Sequence, residues 1–253
     1  MFCGPEKSKN HTVEALPVHK GYFAYKCMSR AMEKYPGYSG YLLINDDVIL
    51  NYWNLVGLKR DKIWEGPKKG VRFTNFGMPP VKEWHWWDST WGMKTCQGAY
   101  DELWNLLESN PEKLFPETID DHKDPRTMVR NKLCFHGRSD VFYIPGKFAA
   151  AFITLSNVFH RHGSFLEIAV PTICRMLDVE ENFEYISGIY MPAGQHGEPP
   201  VRKAEYFWRV YDKKLAFVHP FKLSYQRGGT LNSILLRSWI IEYSDSLSKC
   251  ERN

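Results

Sequence analysis

Gly40-Tyr-Leu-Leu-Ile-Asn-Asp-Asp-Val-Ile-Leu50 decides how this chain is read. Gly40–Asn45 has the composition of a short buried strand, and Val48–Leu50 resumes the extended apolar run. Between them stand two adjacent acids, Asp46 and Asp47. Carboxylates side by side between apolar segments repel each other and resist burial, and a cation relieves both costs. A hard divalent ion held by one or two carboxylates, its shell completed by substrate phosphates, is a common use of such a pair. The alternative is a β-turn in which Asn45 and the aspartates supply the turn chemistry, although no glycine stands between the acids and Val48.

Working outward, Phe23, Cys27, Ala31 and Tyr35 recur at helical spacing and predict a helix over 20–35, stopped by Pro36-Gly37. A helix, a short turn, a strand and acids at the strand's carboxyl end make an α/β unit, and open α/β sheets bind ligands at that end. Helices are expected over Gln97–Leu107, about 147–161 (Phe148, Phe152, Leu155, Phe159), about 169–178 and Leu231–Ile241. Pro171 is expected in the first turn of the 169–178 helix, where a missing N–H is tolerated. Val141–Ile144 and Leu215–Val218 read as strands, the second ending in His219-Pro220. Residues 83–92, 110–126 and Pro192–Pro200 read as loops, and 1–19 as an irregular segment. This alternation predicts the α/β class. With no repeat, low-complexity tract or linker, 1–253 is expected to be a single domain.

The composition narrows the function classes. The net charge of +4 suits an anionic donor, and no Lys/Arg run interleaved with aromatics marks a nucleic-acid binder. Nothing reaches the ~18 consecutive apolar residues of a membrane span, and Met1–Lys7 does not read as a signal peptide. The six cysteines form no CxxC pair, which argues against structural zinc; their even number is compatible with disulfides without fixing any. P-loop, dinucleotide, zincin and nucleophile-elbow motifs are all missing.

Four further features carry chemistry. His219 follows a strand and precedes Pro220-Phe221-Lys222; a neutral imidazole can ligate metal, and Lys222 can meet a phosphate. Glu167, in Phe165-Leu-Glu-Ile-Ala-Val-Pro171, sits in an apolar setting that would raise its pKa toward that of a general base; the alternative is a carboxylate serving a helix N-terminus. Asp140, before Val-Phe-Tyr-Ile-Pro145, can cap a turn or hold an acceptor hydroxyl. Trp84, Trp86, Trp87 and Trp91 fit neither helical nor strand periodicity; they can stack on a sugar or fold down as a lid on the core.

In this order the pieces resemble a nucleotide-sugar glycosyltransferase of the GT-A type. Leu50-Asn-Tyr-Trp-Asn54, Ser139-Asp-Val-Phe-Tyr-Ile-Pro145, Phe165–Pro171 and Val218-His-Pro-Phe-Lys-Leu-Ser224 resemble the STELLO-like glycosyltransferases in particular, over roughly residues 20–225. The resemblance implies a GT-A-like (Rossmann-like) mixed sheet flanked by helices. It implies Mn²⁺ or Mg²⁺ held by Asp47 and His219, and a donor contacted by Asn45, Asp46 and Lys222. Glu167 would be the acceptor-side base, a general base if the enzyme inverts, with Asp140 a weaker catalytic candidate and Trp86 and Trp87 against a glycan or glycoconjugate acceptor. Asn45 departs from the first acid common in DxD motifs. Only about 40 residues precede the acids, where GT-A domains place two or more strands, so the first strands of the nucleotide pocket are expected to be missing. Members of such a family are usually luminal Golgi proteins with an N-terminal membrane anchor, so the resemblance implies a Golgi lumen, with the anchor expected to be absent from these residues. Two rival readings are an inactive transferase-like module binding glycan or protein through the tryptophans, and a metal-dependent phosphohydrolase.

Overall fold

The computed structural model describes residues 2–4, 13–16, 21–67, 72–74, 86–109, 125–190, 207–209 and 211–250. In chain order its elements begin with β1 (Phe2–Gly4), β2 (Val13–Ala15), α1 (Tyr25–Lys34), β3 (Gly40–Ile44), β4 (Ile49–Leu50), β5 (Trp64–Glu65) and β6 (Arg72–Thr74). They continue with α2 (Met93–Ser109), α3 (Pro125–Asn131), β7 (Cys134–His136), β8 (Val141–Pro145), α4 (Ala149–Arg161) and α5 (Leu166–Leu177). The last are β9 (Glu184–Tyr185), β10 (Gly188–Tyr190), β11 (Phe217–His219), β12 (Gln226–Arg227), β13 (Thr230–Leu231) and α6 (Asn232–Cys250). They fall into two compact units, Met1–Asn45 with Leu58–Ile186 and Asp46–Gly57 with Ser187–Asn253.

The first unit is built on a four-stranded mixed sheet, β3-β8-β5-β9, in which β8 runs antiparallel to β3 and β5, and β5 parallel to β9. β8 is buried along its whole length, which is why Val-Phe-Tyr-Ile-Pro reads as an unbroken apolar run. β3 behaves differently. As an edge strand it alternates: Leu43 faces the core, while Leu42 and Ile44 are 36% and 42% exposed. The expectation of a buried strand therefore holds for one face only.

Helices flank the sheet. Tyr25, Met28 and Met32 of α1, Tyr100 and Leu103 of α2, Phe152, Leu155 and Phe159 of α4, and Ile168 and Ile173 of α5 share one core with Phe142 and Ile144. Two disulfides staple this unit, Cys3–Cys27 joining β1 to the α1 helix and Cys96–Cys134 joining α2 to β7. In the N-terminal segment expected to be irregular, β1 and β2 pair in parallel.

α5 begins three residues earlier than the sequence predicts, so Pro171 lies inside it rather than in its first turn. A proline there cannot donate to the carbonyl four residues back, that of Glu167. The Gly137 N–H takes that carbonyl instead, at 2.9 Å.

The second unit holds a three-stranded mixed sheet, β10-β11-β4. β10 and β11 are parallel; β4 and β11 are antiparallel, with Leu50 opposite Phe217 and Ile49 opposite Val218. Ile49, Phe207, Val218 and Phe221 form its core, with Trp208, Tyr211 and Leu236 packed against them. β12 and β13 make a hairpin whose turn is Gly228-Gly229, both at positive φ, as two-residue hairpin turns that match strand twist require. α6 follows and runs beyond the predicted Ile241.

The chain is thus α/β with mixed sheets flanked by helices, as the sequence predicts, and consistent with a GT-A-like fold. Of the expected loops, residues 110–124 and Pro192–Pro200 lie outside the described residues, as does Trp84, while Pro125 and Arg126, expected in the 110–126 loop, instead open α3. Among the described residues no helix is long and apolar enough to cross a membrane.

Candidate functional site

In the second unit the chemistry converges on Asp47. Asp46 and Asp47 form a turn ahead of β4, so the turn reading is correct for the backbone. The Asp47 side chain meets two basic groups of its own chain. His219 Nε2 stands 3.1 Å from Asp47 Oδ1, and Lys222 Nζ donates to Oδ2 at 2.7 Å. The Phe221 N–H donates to the Asp47 carbonyl at 2.6 Å. These contacts follow from register. Leu50 opposite Phe217 and Ile49 opposite Val218 carry the next residues of β11 and its exit to Asp47. Burial alone would raise the Asp47 carboxyl; hydrogen bonds from His219 and Lys222, and then their charges, outweigh it and hold it down at about 2.

Two asparagines fix that register, and a third shapes the loop after it. Asn51 is buried; its N–H donates to the Ala216 carbonyl, its amide to Leu215, and its Oδ1 accepts the Tyr211 hydroxyl. Asn54 donates to Lys213 and Leu215, and the Trp53 indole to Lys213. Asn232, at the start of α6, donates its side-chain amide to the Lys222 carbonyl and accepts the Trp208 indole, shaping the loop that presents Lys222. The sequence reading assigned no role to these residues. The signal was present for two of them, since the stretch Leu50–Asn54 carries its asparagines directly after a strand.

In the first unit Asn45 extends the β3–β8 ladder by one step: its N–H donates to the Asp140 carbonyl at 2.9 Å, and its amide to Asp140 Oδ1 at 2.8 Å. Asp140 is buried and Glu167 half-buried in the first turn of α5. Both readings of Glu167 meet here. The helix N-terminus favours its charged form, yet burial first, and then the neighbouring Asp140 carboxylate, push it up to about 8 against the lowering effect of Arg138. Arg138 is a further group that the sequence did not single out.

Trp87 is a correction. It is 1% exposed and belongs to the core of the first unit, so its indole is no surface for a sugar. Trp86 is half-buried and stacks on Phe165, with centroids 5.2 Å apart, beside Tyr22 and Trp91. The three described tryptophans, Trp86, Trp87 and Trp91, therefore pack down on their own unit, and of the Trp86–Trp87 surface only Trp86 keeps partial exposure.

An aspartate and an imidazole are brought together across an antiparallel strand pair, with a lysine beside them: an ion-pair cluster of the residue types that can hold a divalent cation and meet a phosphate. Two ligands about 2.1 Å from one ion at right angles stand about 3 Å apart, close to the 3.1 Å between Asp47 Oδ1 and His219 Nε2. No protein-family model matches the chain, and no solved structure does. The chain is similar to two curated proteins of Arabidopsis thaliana, probable glycosyltransferase STELLO2 and probable glycosyltransferase STELLO1. Each is 22% identical over 200 residues, 79% of this chain, but only 24% of STELLO2 and 23% of STELLO1. The resemblance read from the sequence is thus met by distant relatives, of whose length this chain spans about a quarter.

Proposed function

We propose that this chain is a metal-dependent glycosyltransferase that moves a sugar from a nucleoside-diphosphate sugar to a glycan or glycoconjugate acceptor. The observation that carries the proposal is the Asp47–His219 pair, set at 3.1 Å by strand register in a stretch resembling a transferase metal motif. Mn²⁺ or Mg²⁺ held there by Asp47 and His219 would act as a Lewis acid on the departing diphosphate.

The chain's own residues supply the rest. His219 would give its Nε2 to the ion in place of its contact with Asp47. Lys222 uses one of its three donors on Asp47 and keeps two for a phosphate oxygen. Exposed Asp46 faces the donor sugar and ribose, and Asn45 holds Asp140 in place. Glu167, at about 8, accepts the acceptor's hydroxyl proton once it is ionised, and so acts as the base of an inverting transfer. Trp86 keeps the acceptor-side role that burial removes from Trp87. Two disulfides favour an oxidising compartment, in line with a Golgi lumen.

Calorimetry with Mn²⁺ and a panel of nucleotide sugars tests the proposal. Wild-type protein should bind a donor only with the metal, and Asp47→Ala should lose that binding while its circular dichroism is unchanged. Equal binding by the two proteins sinks the metal assignment.

A further inference from the structure

We infer that Pro171 is a positioning residue for the Asp140–Glu167 carboxyl pair: by leaving the Glu167 carbonyl unclaimed inside α5, it lets that helix anchor the loop that carries Asp140. In an uninterrupted helix the residue-171 N–H would close on the Glu167 carbonyl. Here the Gly137 N–H occupies it at 2.9 Å.

Gly137 opens the loop from β7 to β8, His136-Gly-Arg-Ser-Asp140. The loop is tied at each step. The Ser139 hydroxyl donates back to the Gly137 carbonyl at 3.3 Å, and Asn45 grips Asp140 through both its backbone and its side chain. One residue past the proline, Thr172 Oγ1 accepts the Phe135 N–H at 2.9 Å and so fixes the strand that leads into the loop. The main chain of Glu167 is therefore the near end of a hydrogen-bonded chain whose far end is Asn45, the residue before Asp46-Asp47. A buried loop must place its backbone donors somewhere, and the proline creates an acceptor at the one helical residue whose side chain is the candidate base. The tie thus holds the loop that carries Asp140 and Arg138, the two charged groups that act on Glu167.

The inference rests on the proposed role of Glu167 for its functional meaning, but its test does not use transferase activity. In isotope-labelled full-length protein, a coupling across the hydrogen bond between the Gly137 nitrogen and the Glu167 carbonyl carbon should be observed in wild type; its absence overturns the inference. In Pro171→Ala the helix regains its own N–H. Gly137 amide exchange should then speed up at least tenfold, and the Glu167 carboxyl midpoint, followed by side-chain ¹³C shifts, should fall by at least one pH unit. Ile173→Val, a core change in the same helix, should leave both readouts within error. If Pro171→Ala leaves either readout unmoved, or Ile173→Val moves both equally, Pro171 is merely structural. Failure of metal-dependent donor binding would leave these results standing and would remove only the catalytic meaning of the pair.

Discussion

Glu167 and Asp47 are both part-buried acids, yet one is driven up to about 8 and the other down to about 2. Burial raises both; partners decide the outcome. Asp47 has an imidazole and an ammonium on its two oxygens, whereas Glu167 faces the carboxylate of Asp140 and gains too little from Arg138. The sequence showed the acids, because apolar neighbours make a carboxylate conspicuous, but spacing alone could not place their partners, which for Asp47 lie across the strand pairing of β4 with β11 and for Glu167 in the loop from β7 to β8. The Glu167 shift has a stability consequence. A carboxyl whose folded pKa exceeds its unfolded value, here about 8 against 4.5, binds its proton more tightly when folded. Its contribution is complete below pH 4.5 and is lost as pH rises through about 8. Glu167→Gln should therefore remove a decline on the order of 4 kcal/mol between pH 5 and 9. Urea unfolding at several pH values measures it. Parallel pH profiles for variant and wild type would show that Glu167 titrates normally.

Elements were legible where their information is local. Phe148, Phe152, Leu155 and Phe159 mark α4, and Pro36-Gly37 ends α1, because each signal lies within a few turns. Strand pairing was not legible: nothing in Ile49-Leu50 names Phe217 and Val218 as partners, and the exposed face of β3 depends on its place at a sheet edge. The joint between β5 and α5 was equally hidden. Arg175 Nη1 and Nη2 donate to the two carboxylate oxygens of Glu65 at 3.0 and 3.1 Å, with both residues buried and Glu180 3.5 Å from the guanidinium. Phe135 and Phe183 present their rings to the same cation. Breaking one side of a buried pair leaves an uncompensated charge, at a cost of about 3–5 kcal/mol; replacing both by apolar groups is often neutral. Glu65→Gln should fall near 3 kcal/mol, because Glu180 still faces Arg175. Glu65→Met with Arg175→Met should unfold within about 1 kcal/mol of wild type. A single variant as stable as the double would show that the pair contributes nothing specific.

At the scale of the whole chain, the six cysteines left their pairing open, since an even count permits many connectivities. Among the described side chains, Cys3 pairs with Cys27 and Cys96 with Cys134, and Cys174 is a buried free thiol. Only the pairing of distant elements could reveal this, for Cys96 lies on α2 and Cys134 on β7, 38 residues apart in sequence. Crosslinks across separations of 24 and 38 residues restrict the unfolded chain by roughly 3–4 kcal/mol each. For a chain of this size each kcal/mol moves the melting temperature by about 2–4 °C. Cys96→Ala with Cys134→Ala should therefore melt roughly 6–15 °C below wild type by calorimetry under oxidising conditions. The gap should shrink when both proteins are measured in reductant, because wild type then loses the same crosslink. Peptide mapping without reduction should recover Cys96 and Cys134 in one linked pair of peptides. If both are alkylated as free thiols in unreduced, denatured protein, the second staple is absent, and the argument for an oxidising compartment then rests on Cys3–Cys27 alone.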